Sequence, residues 1–166
     1  MEIYILRHGE AEPRTAEVEE AERKLTPKGR RDVERVMRAA QAAKVRPDLV
    51  LTSPYRRALE TAQIAVRSLD PKPELTETAL LVPEGRPEQV WKDLRSRSTA
   101  QEILLVGHEP LFSRLVAYLL ATPGLRFDMK KGALVRISME RLGAEPVGVL
   151  KWVLTPSLVR TAGRES

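Results

Sequence analysis

The chain has two histidines, and both stand where chemistry could use them. His8 follows Ile3-Tyr4-Ile5-Leu6 and lies between Arg7 and Gly9, while His108 follows Ile103-Leu104-Leu105-Val106 and Gly107. Each apolar run is short and β-prone. Each reads as a buried strand that delivers an imidazole at its C-terminal end, beside a glycine. Gly9 would let the backbone bend sharply or come close to a ligand. One such histidine would pass as a cap or a core residue. Two in the same setting, one of them next to an arginine, read as parts of a single site.

A third stretch has the same placement. Asp48-Leu49-Val50-Leu51-Thr52 is β-like, and Ser53-Pro54-Tyr55-Arg56-Arg57-Ala58 leaves it as a helix expected to begin at Pro54. Arg56 and Arg57 then fall in the first turn, where a cation opposes the helix dipole by roughly 0.3 kcal/mol or more. Either an anion balances them or they point into water. Arg7, Arg57 and a helix N-terminus would together make a phosphate pocket. Nearby guanidinium groups disfavour protonation of His8, and a neutral imidazole beside a phosphoryl group is a nucleophile. Its other ring nitrogen would donate to a backbone carbonyl and fix the tautomer. His108 would donate to a phosphoryl oxygen. A metal held by His8, His108 and Glu10 is the competing reading, and flanking arginines make it unattractive.

The elements that must position these residues alternate along the chain. Ala11–Lys24 is polar and rich in glutamate, a loop with a helical turn expected to lie over the site because it leaves directly from Gly9. Thr26-Pro27 caps a helix with Val33, Val36, Met37 and Ala40 on one face. After the second strand comes a helix to about Leu69, then a short strand at Pro73–Thr76 and a helix at Glu88–Arg97. The fourth strand, Ile103–Val106, is followed by a helix opened by Pro110. Ala133–Met139 and Val147–Leu154 look like an antiparallel pair. The fold expected is α/β, a three-layer sandwich: a mostly parallel central sheet with helices on both faces and antiparallel strands near the C-terminus. Ligands in such sheets bind outside the carboxyl ends of the strands, where Arg7-His8, Ser53 with Arg57, and His108 all emerge. One catalytic domain is expected over 1–155, with a loose polar tail over 156–166.

Arg7-His8-Gly9, Ser53-Pro54 with Arg57-Ala58 and Thr61-Ala62, and Gly107-His108 resemble the motifs of the histidine phosphatase superfamily, the phosphoglycerate-mutase-like branch 1. The resemblance runs from residue 1 to about 120, and the short chain is most similar to SixA-type phosphohistidine phosphatases. It implies a two-step transfer through phospho-His8, a pocket of Arg7, Arg57 and His108, and no cofactor or metal. Gly9 and Ser53 join that pocket as substrate-binding residues. Many members carry a glutamate after the third strand as general acid, and Leu75-Thr76-Glu77 matches that pattern, with Glu84 a poorer candidate. Only about thirty residues separate the second helix from the fourth strand, so an open site is expected, one that a phosphorylated protein side chain could enter.

Composition narrows the alternatives. No cysteine is present, which removes disulfides and thiolate chemistry. The net charge is +5, but aromatics are 4% and basic residues alternate with acidic ones, a solvated helix face more than a nucleic-acid stripe. No run is long enough to span a membrane, nor is there a signal-peptide pattern, so a cytoplasmic location is the expectation. The substrate expected is a phosphorylated protein, with a small phosphate ester as the alternative. A mutase is disfavoured because it needs a lid, and a non-catalytic phosphate-binding domain would not need the full set of Arg7, His8, Arg57 and His108.

Overall fold

The computed structural model describes residues 1–162. In chain order the elements are β1 (Glu2–Arg7), α1 (Pro27–Ala42), β2 (Leu49–Thr52), α2 (Arg56–Ser68), β3 (Glu74–Glu77), α3 (Pro87–Ser96), β4 (Glu102–Gly107), α4 (Leu111–Leu119), β5 (Leu134–Met139), β6 (Gly148–Leu154) and α5 (Pro156–Ala162). The six strands form one sheet in the order β3-β2-β4-β1-β5-β6. The first four run parallel, and β5 and β6 are antiparallel additions. This is the α/β sandwich expected from the strand–helix alternation. Among the described residues no helix is long and apolar enough to cross a membrane.

The central strands β1 and β4 are apolar on both sides because both faces of the sheet are covered there. Ile3 and Ile5 point into one core with Leu105, Trp91 and Phe112, the side of α3 and α4. Tyr4 and Leu6 point into the other with Val106, Val33, Met37 and Ala62, the side of α1 and α2. The alternation is the period of two that a pleated strand imposes.

Register does the positioning. β1 and β4 are neighbours with Arg7 opposite Gly107, and the His8 N–H donates to the Gly107 carbonyl at 3.0 Å. β2 flanks β4 on its other side with Thr52 opposite Val106, and the Ser53 N–H donates to the Val106 carbonyl at 2.9 Å. Residues 45 and 100 positions apart in sequence therefore leave the sheet side by side.

Two expectations need correction. α2 starts at Arg56, with Tyr55 as an N-cap that makes no side-chain bond, not at Pro54. The Ser53 hydroxyl that would have capped it accepts from the Tyr55 amide and faces His108 instead. The expected loose tail begins as helix α5, packed beside α1 with Arg160 Nη1 3.1 Å from the buried Asp32 carboxylate. Its start was legible: Thr155 Oγ1 accepts from the Leu158 amide, repeating the Thr-Pro signal that opens α1 at Thr26-Pro27. Residues 163–166 of that tail lie outside the described residues.

Candidate active site

His8 is 6% exposed at the exit of β1. Its Nδ1 lies 2.7 Å from the Gly9 carbonyl oxygen, and its Nε2 lies 3.3 Å from Arg57 Nε. A guanidinium nitrogen can only donate, so Nε2 carries the lone pair and Nδ1 the proton. The tautomer is thus fixed from both sides of the ring. Burial, reinforced by the charges of Arg57, Arg7 and Lys131, pushes the imidazole down to about 3, against a smaller opposing effect of the Gly9 carbonyl. Desolvation, and not the arginine charge, is the larger cause.

Arg57, 4% exposed in the first turn of α2, has a partner on each of its three nitrogens. Nε faces His8, Nη1 donates to the Glu20 carbonyl at 2.7 Å, and Nη2 meets the Glu20 carboxylate at 3.1 Å. Thr61 ties this turn to β1. Its hydroxyl donates to the Arg57 carbonyl at 2.7 Å and accepts from the Gly9 amide at 3.2 Å. Arg56 does point outward and pairs with Glu60 at 3.3 Å.

His108 is 1% exposed, and its ring centroid lies 5.0 Å from that of His8. Its Nε2 is 2.8 Å from Ser53 Oγ. The Ser53 hydroxyl can accept from the Tyr55 amide and donate its own proton to His108 Nε2, an arrangement that puts the ring proton on Nδ1. Burial, with the His8, Arg57 and Arg7 neighbours adding to it, takes His108 down to about 2. Arg7 Nη1 donates to the Met129 carbonyl at 2.6 Å. Among the described residues, the buried side-chain nitrogens without a hydrogen-bond partner are Arg7 Nε and His108 Nδ1, both in this cluster. Two neutral imidazoles between two permanent cations can receive a dianionic group, one ring attacking it and the other donating to it. No three His, Cys, Asp or Glu side chains among the described residues lie together as a metal site.

Comparison with known proteins gives this geometry its context. The sequence profile of the histidine phosphatase superfamily (branch 1) matches residues 3–90, just over half of the chain. The chain belongs to the histidine phosphatase superfamily. An uncharacterized protein of Picosynechococcus sp. (strain ATCC 27264 / PCC 7002 / PR-6) is 31% identical over 139 residues, 81% of this chain and 83% of that one. The structure of the protein histidine phosphatase SixA complexed with tungstate superposes with a TM-score of 0.85 at 25% identity, covering 96% of this chain and 99% of that one. The alpha-ribazole phosphatase from Shigella flexneri shares the fold, with a TM-score of 0.75 at 18% identity over 94% of this chain and 97% of that one. A phosphatase working through histidine is therefore the activity of the family to which the site belongs.

Within this histidine phosphatase, the residues read from sequence divide into two groups. His8, Arg57, His108 and Ser53 are joined by the hydrogen bonds and ring contacts above, and Arg7 leaves β1 beside them. Gly9 is present for a different reason from the one expected. Its close approach is to the chain's own helix, since a Cβ there would fall 2.9 Å from the Gly29 carbonyl oxygen and from Val33 Cγ2. Its amide is taken by Thr61, and its carbonyl serves His8. Glu77 lies at the exit of the edge strand β3, exposed, with no side-chain hydrogen bond among the described residues to the histidine pair. Glu84 is exposed in the loop that follows.

Sequence reasoning missed Glu20, the two hydrogen bonds of Thr61, Tyr55 and Met129. Tyr55 sets its ring edge-on to His108 at 5.1 Å and under the Arg57 guanidinium at 5.1 Å. Glu20 is the anion that balances Arg57 in the first turn of α2. The signal for it was the acidic content of the segment leaving Gly9. The 11–24 segment reaches the site as its departure from Gly9 suggested, with Glu20 lying on the Arg57 guanidinium.

Proposed function

We propose that this protein is a metal-independent phosphatase that passes a phosphoryl group through His8 to water, with phosphohistidine on a protein as its substrate. One observation carries the reading: His8 Nε2 holds a lone pair among Arg7, Arg57 and His108, with the opposite ring nitrogen tied to the Gly9 carbonyl. In the first step Nε2 attacks phosphorus and the bond from phosphorus to the leaving group breaks. Arg57 Nε must leave Nε2 for that bond to form, and its donors then turn to the phosphoryl oxygens. Arg7 Nε and His108 Nδ1 donate to the same group, where the charge grows. Ser53 is a positioning residue that fixes the His108 tautomer. In the second step water attacks phosphorus, the P–N bond to His8 breaks, and the imidazole returns to its neutral form.

The substrate class follows from the leaving group. An ester expels an alkoxide unless an acid protonates it, whereas phosphohistidine expels an imidazole that solvent can protonate. No carboxylate among the described residues hydrogen-bonds to either histidine, and the likeness to SixA supports the same choice. A small phosphate ester is the second reading. It rests on Glu77, which sits opposite Thr52 at the strand exits and could serve as an acid. The test compares a phosphohistidine protein with an alkyl phosphate, for the wild type and for Glu77→Gln. Efficient turnover of the first, little altered by the substitution, is expected. Good ester turnover with phosphohistidine ignored would replace this reading, and phosphate binding without turnover of either would leave a binding domain. The phosphoenzyme label should be acid-labile, base-stable and absent from His8→Ala.

A further inference from the structure

The Glu20 carboxylate is surrounded by three guanidinium groups. Arg57 Nη2 is 3.1 Å and Arg23 Nη1 2.8 Å from Oε1, and Arg14 Nε is 2.9 Å from Oε2. Burial works against the ionised form. The hydrogen bond from Arg23 and the charges of Arg57, Arg23 and Arg14 still hold the carboxyl below its ordinary range. Arg57 and Arg23 have little solvent around their side chains, 5% and 13%, whereas Glu20 keeps 36%. A carboxylate so enclosed makes the contacts that an oxyanion would make. It also occupies an Arg57 nitrogen that the phosphoryl transfer needs, since Nη1 is on the Glu20 backbone carbonyl and Nε faces the nucleophilic nitrogen itself.

Helix stability does not require this arrangement. Glu20 belongs to a three-residue turn, Glu20–Glu22, with no buried residue of its own, on a segment whose two ends are joined by a single bridge between Ala11 and Leu25 and which meets α2 through polar contacts. Such a segment can exchange its anion for another at small cost. The carboxylate carries one negative charge and a phosphoryl group up to two, so the exchange favours the phosphoryl group on charge.

We propose that Glu20 is a tethered competitor for the phosphoryl pocket: its carboxylate holds Arg57 and is displaced when a phosphoryl group takes that guanidinium, so that Glu20 sets the affinity of the enzyme for oxyanions. This rests on the phosphatase reading of the same site. It makes Glu20 a determinant of affinity that acts against binding, unlike Arg7, Arg57 and His108, which act for it. The Glu20 backbone carbonyl would still hold Arg57 Nη1 after substitution, so a side-chain variant isolates the carboxylate.

The experiment measures inorganic phosphate and vanadate binding by calorimetry and by inhibition, for the wild type, Glu20→Gln and Glu22→Gln. Glu22 is an exposed acid on the same turn, with no ion pair among the described residues, and reports the effect of removing one charge without the contact. The expected result is five- to tenfold tighter binding in Glu20→Gln, the scale of one partly exposed ion pair (about 1 kcal/mol). KM should fall without a matching rise in kcat, and Glu22→Gln should stay within about twofold. Glu20→Asp, which withdraws the carboxylate by one methylene, should fall between and serves if Glu20→Gln does not fold. Equal tightening in Glu22→Gln, or unchanged or weaker binding in both Glu20 variants, overturns the proposal and leaves the phosphatase intact. Failure of the wild type and every variant to bind phosphate or vanadate overturns both.

Discussion

The two buried histidines make a prediction that can be read directly, because the chain has no others. Both imidazoles are pushed down, from an ordinary 6.5 to about 3 and about 2. At pH 5 an ordinary imidazole is only about 3% neutral, while one at about 3 is about 99% neutral. Below pH 6.5 the unfolded chain takes up two protons that the folded chain refuses. The histidines therefore cost nothing above the unfolded value, and stability is lost as pH falls below it. Between pH 8 and pH 5 each contributes a loss of about 2 kcal/mol, about 4 kcal/mol for the pair, large against a typical 5–15 kcal/mol. The window avoids the carboxylates of Glu2, Glu10, Glu20 and Asp32, whose folded values lie below ordinary ones of 4.5 and 3.8. Urea unfolding at the two pH values should show a midpoint lower by about 2 M at pH 5, for a slope near 2 kcal/mol/M. Replacing His8 with Gln should remove about half of the difference. In parallel, the two imidazole Cε1–H resonances of the folded protein should hold their shifts between pH 8 and 5. A resonance titrating between pH 6 and 7, together with a flat stability profile, would refute the buried neutral pair and with it the pre-set nucleophile.

Ser53→Ala strips His108 Nε2 of its partner, and should cost about 1–3 kcal/mol in stability for the buried nitrogen left unmatched. It should also lower kcat by about tenfold or more with little change in KM, and Ser53→Thr should recover part of the loss. Gly29→Ala brings a methyl group onto the Glu10 carbonyl oxygen and should destabilise by about 1–3 kcal/mol or more. Because it pushes α1 off the Gly9–Glu10 backbone, turnover should fall further than the folded fraction does, as circular dichroism and rate measurements on one sample would show. Removing Arg7, Arg57 or His108 should cost on the order of 10²–10³ in rate. Chelators should leave the wild-type rate unchanged, and zinc-restored activity after chelation would count against the metal-free mechanism.

Much of this protein was readable from local pattern. Apolar β-prone runs ending in Arg7-His8 and Gly107-His108 need only a hydrophobic period and a terminating glycine, and both are properties of neighbouring residues. Thr26-Pro27 sets a helix start by the chemistry of one hydroxyl and one missing amide, and Thr155-Pro156 does the same at the start of α5. The parallel strand order, however, is a property of pairing between distant segments. It alone brings Ser53, Arg57 and His108 to the His8 ring. Burial, which outweighs the arginine charges in keeping His8 and His108 neutral, is likewise set by the packed layers and not by adjacent residues. Gly9 shows the division at one position. The residue type announced a close approach, but only the packed structure decided that the approaching group is the Gly29 backbone. Glu20 shows it at another. An acidic segment near the site is visible in the residue order, while the choice of which carboxylate meets Arg57 depended on how a loop without a core of its own folds back across α2. Short-range sterics and periodicity are written residue by residue; the meeting of side chains from separate strands is fixed only when the whole sheet closes.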